Sequence, residues 1–95
     1  MSSDEITITN NPEKGRYETT VDGKLALLEY RDAGGQRYYT HTEVPPALEG
    51  RGIGSRLACA ALDEAQAQQL SIVPLCPFVR SYIDRHPEYK PLVKF

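Results

Sequence analysis

The densest chemical signal in the chain is Glu49-Gly50-Arg51-Gly52-Ile53-Gly54-Ser55. Glycines at alternate positions permit positive φ and close approach of the backbone to a ligand. The stretch stands between a strand end and a helix start. There, free N–H groups and the positive end of the helix dipole hold a phosphate or pyrophosphate. Arg51 and Arg56 add positive charge. The pattern is not the nucleotide loop that ends in Gly-Lys-Ser/Thr, and it lacks the third glycine of the dinucleotide fingerprint. A flexible turn before a helix is the plainer alternative, but alternating glycines exceed what a turn needs.

Two further groups carry chemistry. Cys76 directly precedes Pro77, a residue suited to the first position of a helix. A thiol at a helix N-terminus has its thiolate stabilised, so its pKa is expected to fall and the sulfur becomes a candidate nucleophile. The alternative is a small buried hydrophobe. On the strand expected over residues 36–44, a period of two places Tyr39, His41 and Glu43 on one face. His41 beside Glu43 is a candidate base oriented by a carboxylate, or else a hydrogen-bonded cross-strand histidine. Cys59 shares its helical face with Ser55, Asp63 and Gln66 and reads as structural or exposed. His86, before Pro87, reads as an imidazolium bonding the last carbonyls of a helix. The two histidines lie 45 positions apart and the cysteines are isolated, so no metal site is expected.

These groups need elements to place them. Ile6–Thr9 reads as a short strand stopped by Asn10-Asn11-Pro12, and Arg16–Val21 as a second. Asp22-Gly23 is a two-residue hairpin turn leading into Lys24–Tyr30, apolar on both faces and therefore central. After Gly34-Gly35 comes the fourth strand, Gln36–Val44, ended by Pro45-Pro46. Ile53, Leu57, Ala58, Ala61, Leu62 and Ala65 recur at helical spacing, predicting a helix from about Arg51 to Gln69. Leu70–Leu75 is a short fifth strand, and Pro77 opens a second helix with Phe78, Val79, Tyr82 and Ile83 on one side. Strand four, helix and strand five form a βαβ crossover, which joins parallel strands. The expected fold is therefore α+β: a mostly antiparallel five-stranded sheet with one central parallel pair, strands 4 and 5, and two main helices. Tyr17, Tyr30 and Tyr38 read as sheet residues with solvated hydroxyls.

With 95 residues the chain reads as one domain, residues 1–95, with a thin core. Apolar residues make up 40% and charged ones 25%, which excludes a disordered tail, a collagen or a disulfide-dense toxin. A net charge of −2 and no clustering of basic with aromatic residues argue against nucleic acid. Apolar runs of a few residues argue against a membrane span. Met1–Glu5 has neither a basic region nor an apolar stretch, so no signal peptide is expected, and the cysteines read as reduced thiols in a cytoplasmic protein.

On these residues the chain resembles the GNAT acetyltransferases. Residues 49–54 match their coenzyme A pyrophosphate signature, Gln/Arg-x-x-Gly-x-Gly/Ala, with Glu49 at the first position. His41-Thr-Glu-Val-Pro-Pro46, Gly50-Arg-Gly-Ile-Gly54, Cys76-Pro-Phe-Val79 and His86-Pro-Glu-Tyr89 resemble the short, single-domain YjdJ-type members, over Tyr17 to Tyr89. The resemblance implies acetyl-CoA as cosubstrate, in a V-shaped cleft where strands four and five splay. Its pantetheine arm would lie beside strand four at Val44, and its pyrophosphate on Gly50, Arg51, Gly52, Ile53, Gly54 and Ser55. Pro77 and Tyr82 are implied as further cofactor contacts, with Tyr82 either a general acid or core. Glu49 is expected to point away, leaving its main chain to bind. The implied reaction is acetyl transfer to an unidentified amine, by direct attack or through a transient acetyl-cysteine on Cys76, with His41 and Glu43 completing the catalytic set. The amine is a small molecule or a protein, its site is shallow or supplied by a partner, and the chain is a monomer or weak dimer. A non-catalytic coenzyme A or acetyl-CoA sensor is the main alternative. A small interaction domain using its sheet edge is a third.

Overall fold

A computed structural model describes residues 6–94. The reading of Met1–Glu5 as no signal peptide lies outside the described residues, as does Phe95 of the tail. Strands β1 (Thr9–Asn11), β2 (Arg16–Val21), β3 (Lys24–Ala33) and β4 (Gln36–Glu43) form an antiparallel meander, and β5 (Ser71–Pro74) joins β4 in parallel. Helix α1 (Ile53–Ala67) connects β4 to β5, and α2 (Pro77–Arg85) follows. Asp22 and Gly23 take positive φ of 53° and 75°, as a tight two-residue hairpin turn requires. Pro87–Leu92 continues from α2 as a 3₁₀ helix.

Two expectations need correction. The parallel pair is not central: the strand order β1-β2-β3-β4-β5 leaves β5 at one end. The chain turns into α2 straight after β5. Its outer edge meets the Ile72–Val93 bridge, a 2.8 Å bond from Lys94 N–H to the Ile72 carbonyl, and the Arg80 guanidinium, which donates to the Pro74 carbonyl at 3.4 Å. The first strand also begins later than its β-forming residues suggest. Ile6 and Ile8 pack against the core instead. Asn10 joins the sheet because its side chain has partners there: the Tyr30 hydroxyl donates to Oδ1 at 2.7 Å, and Nδ2 donates to Glu64 at 3.1 Å.

The core lies on one face of the sheet. The apolar stripe of α1 covers Tyr17, Ala26, Leu28, Tyr30 and Tyr39, and Val79, Tyr82 and Ile83 of α2 complete the same cluster. Within this apolar layer sits a closed polar network. Arg37, buried with 6% of its surface exposed, donates to both carboxylate oxygens of Asp32 at 2.7 and 3.0 Å and to the Tyr17 hydroxyl at 2.9 Å. The Tyr17 hydroxyl donates in turn to Glu64 of α1. The guanidinium lies 4.2 Å from the centre of the Tyr30 ring. Neither the Tyr17 nor the Tyr30 hydroxyl is therefore simply solvated, since each is needed to satisfy a polar group brought under α1. Burial, and then the bond to Glu64, raise the Tyr17 pKa. The Asp32 bond holds Arg37 charged.

Candidate active site

β4 and β5 pair only from Gln36–Ser71 to Tyr39–Pro74. Beyond that point β4 runs on to Glu43 against β3 alone. The last backbone link across the gap is Cys76 N–H to the Tyr39 carbonyl, 2.9 Å. The expected wedge is present, and Pro74, which has no N–H to give, stands at its closed end.

A β-bulge sets what faces the wedge. Tyr30 of β3 opposes Tyr39, but Glu29 opposes His41, so Thr40 is an extra residue on β4. Before the bulge Tyr39 faces α1, its hydroxyl donating to the Ala61 carbonyl at 3.2 Å. After it, Thr42 stands opposite the buried Leu28 and takes the α1 face, while His41 and Glu43 stand opposite Glu29 and Leu27 on the far face. The expectation that Tyr39, His41 and Glu43 share a face fails for this reason. His41 and Glu43 do pair, Nε2 to Oε1 at 3.3 Å, but both are exposed. The residue that meets the cysteine is Thr42, whose Oγ1 lies 3.2 Å from the Sγ of Cys76. Sequence reasoning missed Thr42 because a strand period carries no mark of a bulge. Cys76 itself is buried, as the residue preceding the first turn of α2.

The glycine stretch follows a 3₁₀ turn, Pro46–Leu48, anchored by the buried Leu48. Glu49 N–H is used by the Pro46 carbonyl at 3.2 Å. Gly50 and Gly52 adopt positive φ of 85° and 74°. Gly52 is the N-cap of α1, whose first bond runs from Arg56 N–H to the Gly52 carbonyl at 3.1 Å. The amides of Ile53, Gly54 and Ser55 therefore have no intrahelical acceptor, no side chain caps them, and the first turn holds no acidic residue. They border a cavity of about 300 Å³. Of the expected contacts, Val44, Gly50, Gly52, Ile53, Gly54 and Ser55 line it, joined by Thr42, Glu49 and Phe78. Glu49, expected to bind through its main chain, stands on the rim. Gly54 has its own reason to be glycine: a Cβ there would lie 2.8 Å from the Phe78 ring, which closes on the start of α1.

The remaining expected residues lie elsewhere. Arg51 is not among the lining residues, and its guanidinium is held by Asp22 at the β2–β3 turn, 2.9 Å away. Arg56 borders a separate hollow with Cys59 and Asp63. Pro77 is the first residue of α2. Tyr82 sits in the core, stacked on His86 at 4.2 Å, its pKa pushed up to about 12 by burial and by Cys59. Cys59 is half-buried and donates to Asp63, which also accepts the Tyr89 hydroxyl at 2.5 Å. His86 makes no side-chain cap. Its ring stacks on Tyr82, and its backbone N–H reaches Ile83 at 3.0 Å. No group of metal-ligating side chains occurs among the described residues.

Residues 16–92 match the family model described as GCN5-related N-acetyl-transferase. The chain belongs to this GNAT family. It is 43% identical over 85 residues to the protein NATD1 of Mus musculus, covering 86% of this chain and 77% of that protein. It is 30% identical over 88 residues to NATD1 of Xenopus tropicalis, covering 90% and 81%. The solution structure of a GCN5-like protein from Staphylococcus aureus superimposes with a TM-score of 0.72 at 25% identity, covering 99% of this chain and 91% of that one. The GNAT fold thus explains the parallel end of the sheet and its wedge. No helix among the described residues is long and apolar enough to cross a membrane.

Proposed function

We propose that the chain binds acetyl-CoA in the wedge and transfers its acetyl group to an amine. The observation that carries this reading is the conjunction of two features. β4 and β5 separate after Tyr39 and Pro74, and the uncapped amides of residues 53–55 border the cavity beside that separation. The residues fit the cosubstrate. Gly50, Gly52 and the α1 amides suit its pyrophosphate, and Val44 and Thr42 line the path toward Cys76. When bound, acetyl-CoA supplies an activated acetyl thioester. The chain positions it, keeps water from one side through Phe78, and handles protons.

Two routes are open at this site, one through His41 and Glu43 and one through Cys76. In the direct route the amine attacks the thioester, and His41, its charge balanced by Glu43, takes a proton from the ammonium. In the covalent route the Cys76 sulfur bonds to the acetyl carbonyl carbon as the carbon–sulfur bond to coenzyme A breaks, and the Cys76 proton leaves with coenzyme A as its thiol. The amine nitrogen then bonds to the acetyl carbon as the bond to Cys76 breaks, one of its protons restoring the Cys76 thiol and the other going to His41. Thr42 orients Cys76 in either case.

Acetyl-CoA at 100 times its dissociation constant should stabilise the fold by about 2.7 kcal/mol. For a chain this small that raises the melting temperature by about 10 °C or more. Coenzyme A should act similarly and ATP less. Gly52→Val, which strains a φ of 74° and crowds the amides, should abolish the rise. A folded Gly52→Val that still responds fully would remove the loop from the reading. Binding without acetylation of any amine would favour the non-catalytic module.

A further inference from the structure

We propose that a second cavity, on the far face of the sheet, is the acceptor site, and that the acceptor is a small primary amine bearing a carboxylate. The proposal rests on acetyl transfer at the wedge. The cavity is about 250 Å³ and is lined by Arg31, Ala33, Tyr38, Thr40 and Leu75. Its place follows from the register. Arg31 opposes Tyr38, and their chain neighbours Tyr30 and Tyr39 face α1, so Arg31 and Tyr38 face the other way. Leu75 and Cys76 are consecutive at the closed end of the wedge. The Cys76 sulfur meets Thr42 on the α1 side, whereas Leu75 is 53% exposed and lines the far cavity. The two cavities therefore flank one gap between strands.

The charges around the far cavity are arranged for a zwitterion. Arg16, Arg37 and Arg51 are held by Glu18, Asp32 and Asp22 at 2.6, 2.7 and 2.9 Å. Arg31, Arg56, Arg80 and Arg85 have no carboxylate partner among the described residues, and of these Arg31 alone lines the far cavity. On the wedge side, Thr40 is followed along β4 by the His41–Glu43 pair, on the same far face. One end thus presents a cation and the other an imidazole–carboxylate pair. Arg31 lies on β3, two strand spacings or roughly 10 Å from β5, so a compact molecule spans from its guanidinium to the wedge. Leu75 and the Tyr38 ring suit the methylenes between the two ends, and Glu29, two residues from Arg31 and opposite His41, adds a second carboxylate at the ammonium end. A polyamine would set its second ammonium against Arg31.

The reaction balances. The amine nitrogen bonds to the acetyl carbonyl carbon as the carbon–sulfur bond breaks. Of the two protons the ammonium nitrogen loses, one goes to His41 and one to the departing coenzyme A sulfur.

The test is steady-state release of free thiol from acetyl-CoA. The probes are 3-aminopropanoate, 4-aminobutanoate and 5-aminopentanoate, each against the alkylamine lacking the carboxylate. The amino acids should show KM values at least tenfold lower. Arg31→Ala should raise those values by roughly tenfold, the scale of losing a charged hydrogen bond, and leave the alkylamine values unchanged. Arg31→Lys should restore part of the loss. Equal use of both series, preference for alkylamines or polyamines, or KM values indifferent to Arg31 would overturn the proposal. So would binding of acetyl-CoA with no probe acetylated, and that result would leave the cofactor reading standing. Failure of acetyl-CoA to raise the melting temperature would remove both.

Discussion

Thr42 and Cys76 meet across the gap between β4 and β5, oxygen to sulfur at 3.2 Å. The two acyl-transfer routes separate at this contact. If acetyl passes through the thiol, Cys76→Ala abolishes turnover, Thr42→Val lowers it about tenfold, and brief incubation with labelled acetyl-CoA leaves a label on Cys76 that is readable by mass spectrometry. If attack is direct, Cys76→Ala retains most of its turnover and no label appears on the protein. Gly54 makes a different demand. Its missing Cβ leaves room for the Phe78 ring at the start of α1. Gly54→Ala should push the exposed tip of that ring aside at little cost and favour the helix, so stability read from chemical denaturation should change by less than about 1 kcal/mol.

At the scale of elements, α1 is held by more than its apolar stripe. The network from Asp32 through Arg37 and Tyr17 to Glu64 ties β3, β4, β2 and α1 together. Arg37→Met should cost about 1–3 kcal/mol, because the buried Tyr17 hydroxyl loses its charged donor, while the exposed Asp32 carboxylate returns to water. Denaturant midpoints would show this. Tyr17→Phe should cost less, since Arg37 keeps its bidentate bond to Asp32. Strands β2 to β5, the hairpin turn and both helices were legible in the sequence, because β-forming runs, Asp22-Gly23 and helical spacing each report a local preference, whereas β1 was misplaced because side-chain bonds of Asn10 to Tyr30 and Glu64 set it. The bulge at Thr40 was not legible either. It depends on how β3 aligns with β4, and Thr40 has no residue type that marks it. That one residue decides that Thr42, and not His41, faces Cys76.

At the scale of the whole molecule, folding withdraws tyrosines from water together. Burial, the largest cause in each case, raises the pKa of Tyr17, Tyr39, Tyr82 and Tyr89 above the ordinary value of 10.0. The unfolded chain releases these protons from about pH 10. The native chain keeps them to higher pH, Tyr82 to about 12. Above pH 10 the unfolded state therefore binds fewer protons, so the stability these groups contribute is complete below pH 10 and declines as pH rises past it. Ultraviolet titration should show these tyrosinates forming together with unfolding. Ionisation of all the tyrosines near pH 10 in a still-folded chain would contradict the packing described.

By itself, the sequence determined strands two to five, both helices, their order, the glycine loop before α1 and the family, because these follow from short-range preferences and from motifs contiguous in the chain. Only the tertiary structure decided which face each side chain takes at the wedge, that Arg51 is held by a distant hairpin, and that an arginine on β3 borders the far side of the gap. Such relations depend on the register between strands remote in the chain, and a single extra residue in one strand reverses them.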